Sequence, residues 1–426
     1  MSHRRIVAED PEWNVAPVSA LSALCVAVLV GSFPAFPVLD RVPTKHRQAV
    51  CSAIAIDADL HRAALLVPDE CYWKRRAAKR FSLANVNHFQ GSWKRLFFEL
   101  HLAELVEAHE PTLSGGFQKI PESLVEAFRI CAPYVKALTL RQLRPIAEDD
   151  PLDSRHSHLL AKKSDLAELL NVRSIDHLEL SSLLPILSGL ETLSIYYGVK
   201  DCRTEFKWSY FGMTINDSIQ LAKLIQLSSS LKSLTIKASG VDDDRCRVIC
   251  QSLLKNKTME YLDLSNNKIG YSGSRAVAAV LASPETALST LKMQNNPFGS
   301  EAAFCIGKAL MVNKTLHHLD LRLCQIGDEN GSKFLGFLKH NSIIKSLDLS
   351  GNILGALSAS ALADLLKHNG KTLRTINISC NKLGLFPATL IANSGTDTTS
   401  QTPTNDFIGK MLLEAISVNK VSYSTN

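Results

Sequence analysis

The chain has 426 residues, of which 46% are hydrophobic and 21% are charged, and this composition excludes a largely disordered protein. The length is too great for one ordinary compact core, so two or three domains or an array of stacked repeats is expected. The formal net charge of +6 is too small for a dedicated DNA-binding protein.

Ten cysteines are scattered along the sequence, with no C-x-x-C pair and no histidine at the spacing of a zinc site. This pattern argues against a metal centre and against a disulfide framework. We therefore expect the cysteines to be small buried hydrophobic residues with free thiols, in a protein of a reducing compartment.

Near the start of the chain, an apolar run extends from Val18 to Val30 behind the basic pair Arg4 and Arg5. It is too short to span a bilayer, which needs roughly 20 apolar residues. A secretory signal is the alternative to a buried helix, although three acidic residues separate the basic pair from the run. We predict a buried helix here.

Residues 1–14 are predicted to form a tail, and residues 15–115 a small helical domain that does not match the repeats farther along the chain. Apolar residues recur at helical spacing in four segments, which are 18–30, 46–54, 72–81 and 93–106. A terminal repeat cannot leave its apolar face exposed, so this domain is also expected to cap the first repeat.

Two segments of the helical domain, 71–81 and 91–98, interleave basic residues with aromatic ones. This composition is typical of a surface that binds an acidic protein, nucleic acid or an anionic membrane, and the first is our prediction. The alternative is a helix whose aromatic residues are core and whose basic residues are solvated. The candidate docking residues are Tyr72, Trp73, Lys74, Arg75, Lys79, Arg80, Trp93, Lys94 and Arg95.

Residues 116–426 are predicted to be a leucine-rich-repeat domain, because the template L-x-x-L-x-L-x-x-N-x-L recurs there. In the regular part, 231–426, copies begin at residues 231, 259, 288, 316, 344 and 373, with a period of 28 or 29. The irregular part, 116–230, has weaker copies beginning at 135, 175 and 190, and a protruding loop is expected at 197–211. The polar segment 393–405 is predicted to be a disordered insertion, and a helix at 407–418 should complete the last repeat.

Each regular repeat is predicted to fold as strand, turn and helix, because the L-x-L core has the period of a strand and the next segment that of a helix. The Asn of the template has a physical reason, since a buried Asn can bond the backbone groups that the turn leaves unpaired. Cys324 fills this position in its own repeat. Repeats of this length resemble the ribonuclease-inhibitor class, which implies an α/β horseshoe solenoid with parallel strands inside and helices outside.

The residues between the leucines of each strand should point away from the core and line the inner, concave face, which is a docking surface in solenoids. Many of them could equally be solvated. The candidate protein-binding residues of this face are Tyr261, Asp263, Lys292, Gln294, His318, Asp320, Arg322, Asp348 and Asn377.

We predict no catalytic residues, no metal site and no cofactor. Asp263, Asp320 and Asp348 recur at one repeat position, which a repeat produces without selecting an acid and a base. The sequence Gly370-Lys371-Thr372 ends like a phosphate-binding loop, but Leu365 stands where that loop needs glycine.

The runs DECYWKR at 69–75 and GSWKRLFFE at 91–99, followed by these repeats, resemble the leucine-rich-repeat subunit of the nexin-dynein regulatory complex. This is the dynein regulatory complex subunit 5, or T-complex-associated testis-expressed, family. The resemblance implies a non-catalytic scaffold in the cytoplasm and cytoskeleton, at the axoneme of a cilium or flagellum. Its partners would be other subunits of that complex and tubulin, with no small-molecule substrate, no membrane and no nucleic acid.

Two other functions stay open at this level. A GTPase-activating protein of the Ran-activating type shares this class of repeat, although no catalytic Arg or Asn stands out in the sequence. A ubiquitin-ligase substrate adaptor would use the N-terminal helices to bind the ligase.

Overall fold

A computed structural model describes residues 20–33, 39–81, 85–114, 117–118, 120–146, 177–200, 202, 210–369, 372–383 and 422–424. The chain forms two compact units, Met1–Phe98 and Glu99–Asn426. Among the described residues, no helix combines the length and the apolar character that crossing a bilayer requires.

The first unit is helical. Asp59 and Asp69 each cap a helix, because their carboxylates accept hydrogen bonds from the backbone N–H groups of Arg62 and Tyr72. The predicted segments 46–54, 72–81 and 93–106 are confirmed as helices. The helices are α1 Leu21–Ser32, α2 Thr44–Ala53, α3 Leu60–Leu66, α4 Glu70–Arg80 and α5 Trp93–Ala108, and α5 continues into the second unit.

The prediction that the apolar run 18–30 is a buried helix was wrong in one respect. The helix α1 forms over Leu21–Ser32, but none of its residues is buried, and the side chains of Leu21 and Val28 are 77% and 69% exposed. The reason is that α1 is apolar all round and, among the described residues, packs mainly on α2. One neighbour covers only one face of such a helix.

The second unit is built on a parallel sheet of nine described strands in chain order. Before the sheet come a short antiparallel pair, β1 Leu113–Ser114 and β2 Phe117–Gln118, and the helix α6 Glu122–Cys131. The strands are β3 Ala137–Leu140, β4 Thr192–Ile195, β5 Ser233–Ile236, β6 Tyr261–Asp263, β7 Thr290–Lys292, β8 His318–Asp320, β9 Ser346–Asp348, β10 Thr375–Asn377 and β11 Ser422–Ser424.

One helix follows each of the strands β5 to β9, and consecutive helices pack on one another. The leucines of the template are buried beneath them; Leu234, Leu262, Leu291, Leu319 and Leu347 are at most 2% exposed. The predicted leucine-rich-repeat solenoid is therefore confirmed. The helices are α7 Leu180–Leu183, α8 Ile215–Leu227, α9 Asp243–Leu253, α10 Tyr271–Ala282, α11 Gly299–Leu310, α12 Asp328–Leu338 and α13 Ala356–Asn369.

The template Asn does what its position predicts. The Asn267 side-chain carbonyl accepts hydrogen bonds from the backbone N–H groups of Ser239 and Val241, at 3.0 and 3.1 Å. Its amide donates to the backbone carbonyls of Ile236 and Leu264. Each such Asn thus bonds its own repeat and the preceding one.

The irregular repeats depart from the prediction. A strand was expected around residues 175–180, yet Leu180–Leu183 is a short helix and the sheet passes directly from β3 to β4. The apolar spacing explains this, because Leu180, Leu183 and Leu184 are all buried and lie three and four residues apart. Most of the expected loop at 197–211, the insertion 393–405 and the helix at 407–418 lie outside the described residues.

The expectation that all cysteines are small buried residues was partly wrong, since Cys25, Cys71 and Cys380 are exposed. Cys51 and Cys324 follow the expectation, as both are buried. Burial raises the pKa of Cys51 to about 11 and that of Cys324 to about 12, which keeps these thiols protonated at neutral pH.

At the N-terminal edge of the sheet, the carboxylate of Glu99 occupies the place that the backbone of a preceding repeat has elsewhere in the sheet. Within the sheet, the backbone carbonyl of Lys136 accepts from the N–H groups of Glu191 and Thr192, and each later repeat copies this pair of bonds. Among the strands that the structure describes, none precedes β3 in the sheet and could bond Lys136 and Ala137. Their N–H groups both donate to Oε1 of Glu99, each at 2.9 Å. The buried Glu99 carboxylate thus takes the place of a preceding backbone carbonyl and satisfies an edge strand.

We expect Glu99→Ala to lower the free energy of unfolding of the second unit by about 2 kcal/mol, because two N–H groups lose a charged acceptor. Hydrogen exchange at the amides of Lys136 and Ala137 should accelerate more than exchange at β6. Glu99→Gln keeps one carbonyl oxygen and should lose less. Equal protection of both amides in Glu99→Ala and the unmodified chain would contradict this assignment.

A second prediction follows from the register. Leu347→Asp should lower the free energy of unfolding by more than about 4 kcal/mol and melt several repeats together, because it buries an unpaired carboxylate between coupled neighbours. Thermal unfolding followed by circular dichroism measures the effect. The matched control is Ser346→Asp, one residue away on the inner face, which should melt close to the unmodified chain.

Candidate protein-docking surfaces

In the first unit, the aromatic residues of the predicted docking surface form a core. Trp73 and Tyr72 are each 0% exposed. The Trp73 ring lies 5.4 Å from the ring of Phe97 and 5.0 Å from that of Phe98, between centroids, and its N–H donates to the carbonyl of Val67. The prediction that Tyr72 and Trp73 are surface residues was therefore wrong, and the alternative that the aromatics are core holds for these two.

Two of the predicted basic docking residues serve as helix caps. The Arg75 guanidinium donates to the carbonyls of Cys51 and Ile54 at the end of α2, at 3.0 and 3.1 Å. The Lys94 ammonium donates to the carbonyl of Ala64 at 2.7 Å, near the end of α3. Positive charge at a helix C-terminus is stabilising because the last carbonyls carry partial negative charge.

The ammonium of Lys94 is also partly desolvated. Burial lowers the pKa of Lys94, and the nearby carboxylate of Glu70 opposes that shift. Glu70 in turn caps α5, since its carboxylate accepts from the backbone N–H groups of Trp93 and Lys94, at 2.5 and 3.1 Å. The two sequence runs that carry the family resemblance thus join the four helices α2 to α5.

The remaining candidates of the first unit are accessible. Lys74, Lys79 and Arg80 are exposed on α4, and we call them the α4 basic face. The Lys74 ammonium lies 5.6 Å from the centre of the half-buried Trp93 ring. Arg95 is also half-buried. This unit holds thirteen Lys and Arg against eight Asp and Glu, so it carries +5 of the chain's net charge of +6.

In the second unit, the structure brings the predicted inner-face residues together. The parallel register sets Asp263, Lys292, Asp320, Asp348 and Asn377 beside one another on consecutive strands. Tyr261 and His318 lie two residues before this row, with Thr290 between them, while Gln294 and Arg322 follow their strands.

The repeated aspartates hold the backbone where the strands end. Asp263, Asp320 and Asp348 each accept a hydrogen bond from the backbone N–H two residues later, at 3.0 to 3.1 Å. Asp263 is 0% exposed and also meets the Lys237 ammonium at 2.9 Å. These bonds give the recurring carboxylates a structural task.

Arg322 links three repeats across the inner face. Its guanidinium donates to both carboxylate oxygens of Asp320 and to the side-chain carbonyl of Gln294, and it lies 3.5 Å from Asp348. Lys292 behaves differently: its ammonium sits 5.5 Å from the centre of the Tyr261 ring. The face is therefore polar and mostly pre-organised by contacts between neighbouring repeats.

A buried histidine and aspartate lie among the irregular repeats, and sequence reasoning did not single them out. Nδ1 of His177 is 2.6 Å from Oδ2 of Asp217, and both side chains are at most 4% exposed. Asp217 also accepts from the N–H of Thr214 at the start of α8, while Ser181 donates to Gln220. The pair therefore fixes a helix N-terminus. Within the described part of the chain, no group of His, Cys, Asp and Glu could hold a metal ion.

Comparison with known proteins places these features. A family model described as "Leucine Rich repeat" matches residues 255–278, 312–335 and 340–363. The chain is 36% identical over 276 residues to "Dynein regulatory complex subunit 5" of Mus musculus. The aligned residues make up 65% of this chain and 54% of the relative. It is 27% identical over 232 residues to the protein of that name from Chlamydomonas reinhardtii, covering 54% of this chain and 50% of the relative.

The ribonuclease inhibitor of Mus musculus is also similar, with 26% identity over 220 residues, 51% of this chain and 48% of the relative. The resemblance to dynein regulatory complex subunit 5 expected from the sequence is thus confirmed, as are the leucine-rich repeats. The chain spans about half the length of these relatives.

The buried role of the aromatic residues generates a prediction. Trp73→Ala should lower the free energy of unfolding of the first unit by about 3–5 kcal/mol, because it removes a large, fully buried side chain and leaves a cavity. Tryptophan fluorescence and near-ultraviolet circular dichroism during denaturation would report the loss. Lys79→Ala, a change on the exposed side of the same helix, is the control and should stay within about 0.5 kcal/mol.

Proposed function

We propose that this chain is a non-catalytic scaffold subunit of the nexin-dynein regulatory complex at the axoneme of cilia and flagella. In this role it binds other subunits on the doublet microtubule and helps to regulate dynein-driven motility. The observation that carries the proposal is the 36% identity over 276 residues to proteins named for that complex.

The architecture supports a scaffold. Solenoid repeats present an extended row of side chains, and here the inner face is polar and is organised by ion pairs and hydrogen bonds between repeats. The carboxylates that a hydrolase would need are bonded to backbone N–H groups and to neighbouring cations. A binding role therefore fits the geometry better than an acid–base role does.

The first unit offers the attachment point in this proposal. The excess positive charge of the chain is concentrated there, and the α4 basic face is exposed. Such a face attracts acidic surfaces, which could belong to other subunits of the complex or to tubulin. Arg75 and Lys94 are left out of this contact, because their charged groups are bonded to helix ends.

We expect the triple variant Lys74→Glu, Lys79→Glu and Arg80→Glu to reduce incorporation into axonemes by roughly tenfold, since each reversed charge replaces an attraction by a repulsion. Tagged chains expressed in ciliated cells can be quantified in salt-washed axonemes. Raising the salt concentration should release the unmodified chain progressively, because exposed charges are screened.

The matched control reverses three exposed lysines of the second unit, Lys308, Lys314 and Lys367, and should incorporate normally. Both triple variants should show the thermal unfolding of the unmodified chain. If the α4 variant incorporates as well as the control, anchoring is not a task of the α4 basic face. If the unmodified chain itself is absent from washed axonemes, the proposed function fails.

A further inference from the structure

The residues just before the strands form a ladder of their own. The carbonyl of His317 accepts from the N–H groups of Lys345 and Ser346, at 2.8 and 2.9 Å, and the carbonyl of Lys345 accepts from Arg374 in the same way. These bonds hold the residues one strand spacing apart, about 4.8 Å. The ladder runs through Lys136, Glu191, Lys232, Glu260, Ser289, His317, Lys345 and Arg374.

The charge pattern of this ladder changes along the sheet. Its first four members alternate in sign, and Lys232 and Glu191 come within 3.9 Å of each other. From Ser289 onward the ladder contains no acidic residue, only His317, Lys345 and Arg374. Positive charge is thus balanced within the ladder at one end of the sheet and unbalanced at the other.

The unbalanced end adjoins two basic residues of the inner face, of which His318 is the titratable one. His318 is exposed, and Lys292 is half-buried on the neighbouring strand. Burial lowers the pKa of His318, and the positive charges of His317, Lys345 and Lys292 lower it further. We call His317, His318, Lys292 and Lys345 the cationic entry patch.

The acidic groups near this patch are engaged elsewhere. Asp263 pairs with Lys292 across β6 and β7, Asp320 lies two residues beyond His318 on β8, and Asp348 lies on β9. Asp263 meets the ammonium of Lys237 at 2.9 Å and accepts a hydrogen bond from the hydroxyl of Tyr261. Asp320 is bonded by Arg322, while Asp348 accepts from Ser350 and from the Asn377 amide at 3.0 Å. In the described residues, neither Lys292 nor Lys345 forms an ion pair with an acidic side chain, so no ion pair neutralises the positive charge of these two lysines.

We infer that the cationic entry patch is a docking site for an acidic segment of a protein partner, one rich in glutamate or aspartate. A run of carboxylates spaced along an extended segment matches basic side chains held at β7, β8 and β9, and association would be steered by charge. The inference deepens the proposed function, since it names the chemistry of a partner for the repeat unit.

Binding should depend on pH in a defined direction. A bound carboxylate raises the pKa of His318 above its depressed value in the free protein, so the complex takes up protons. This contribution to affinity is complete below the pKa of the free state and is lost as pH rises through the pKa of the complex. Affinity should therefore increase on going from about pH 8 to about pH 6.

The test uses the full chain and a fluorescently labelled glutamate homopolymer, with binding followed by fluorescence anisotropy at fixed salt. Lys292→Glu with Lys345→Glu should weaken binding by roughly tenfold or more. The control, Lys308→Glu with Lys367→Glu, makes the same change of charge on helices α11 and α13 and should bind like the unmodified chain. His318→Gln should lose part of the pH dependence while it melts like the unmodified chain.

Equal loss of affinity in both double variants would show an effect of net charge alone and overturn the inference. Tighter binding of a single-stranded oligonucleotide than of the homopolymer at the same salt would also overturn it, in favour of nucleic acid. The experiment needs no axoneme, so its outcome is separate from that of the proposed function. If the chain binds the homopolymer at this patch but does not enter axonemes, the inference stands and the proposed function fails.

Discussion

The regular repeats of this chain depend on buried side-chain amides that satisfy the backbone where it cannot bond itself. A turn that must be buried leaves N–H and C=O groups without partners, and each of them would cost free energy if left unpaired. After the strands, backbone carbonyls accept hydrogen bonds from the side-chain amides of Asn267, Asn296, Asn352 and Asn381. Asn256, Asn313 and Asn341 have the same role before the strands, where each side chain bonds the start of its own strand and the end of the helix one repeat earlier.

Because each amide bonds two repeats, the repeats are coupled through hydrogen bonds as well as through apolar packing. Cys324 shows what a weaker group does at the same position. Its thiol contacts the carbonyls of Met293 and Arg322, both at 3.3 Å, but it has no second polar atom with which to accept a pair of N–H groups. The ends of the solenoid need other solutions. Glu99 supplies a carboxylate at β3, and β11 pairs with β10 at the opposite edge.

The sequence predicted the repeat unit well because the repeat is a local pattern enforced at every copy. The strand register, the inward leucines and the role of the template Asn all follow from spacing. What spacing could not give is which basic residues bond the ends of neighbouring helices. Arg75 and Lys94 look like Lys74 and Lys79 in the sequence. The charged groups of the first two, however, donate hydrogen bonds to carbonyls at helix ends that come together only in the folded unit.

Other features escaped the sequence for related reasons. Tyr72 and Trp73 were expected on the surface because aromatic residues are common both in binding sites and in cores, and only the packing with Phe97 and Phe98 decides between them. His317 and Lys345 were missed because counting between the leucines of L-x-L omits the residue before the strand. The strand β11 has no leucine template, so it could be found only by its pairing.

The geometry of the turn also explains how a uniform fold carries a varied surface. Every regular strand from β5 to β10 is followed, two or three residues later, by a residue with positive φ: Ala238, Asn266, Asn295, Leu323, Gly351 and Cys380. Asn and Gly accept this conformation readily, whereas Leu323 adopts it at a cost of about 1–2 kcal/mol. The repeat therefore imposes its backbone whatever the side chain is. Leu323 is 56% exposed at this turn, so its side chain is not held there by burial. Since the leucines and amides carry the fold, side chains on the turns and the inner face are left to differ from repeat to repeat, and a charge pattern such as the unbalanced ladder can arise without disturbing the core.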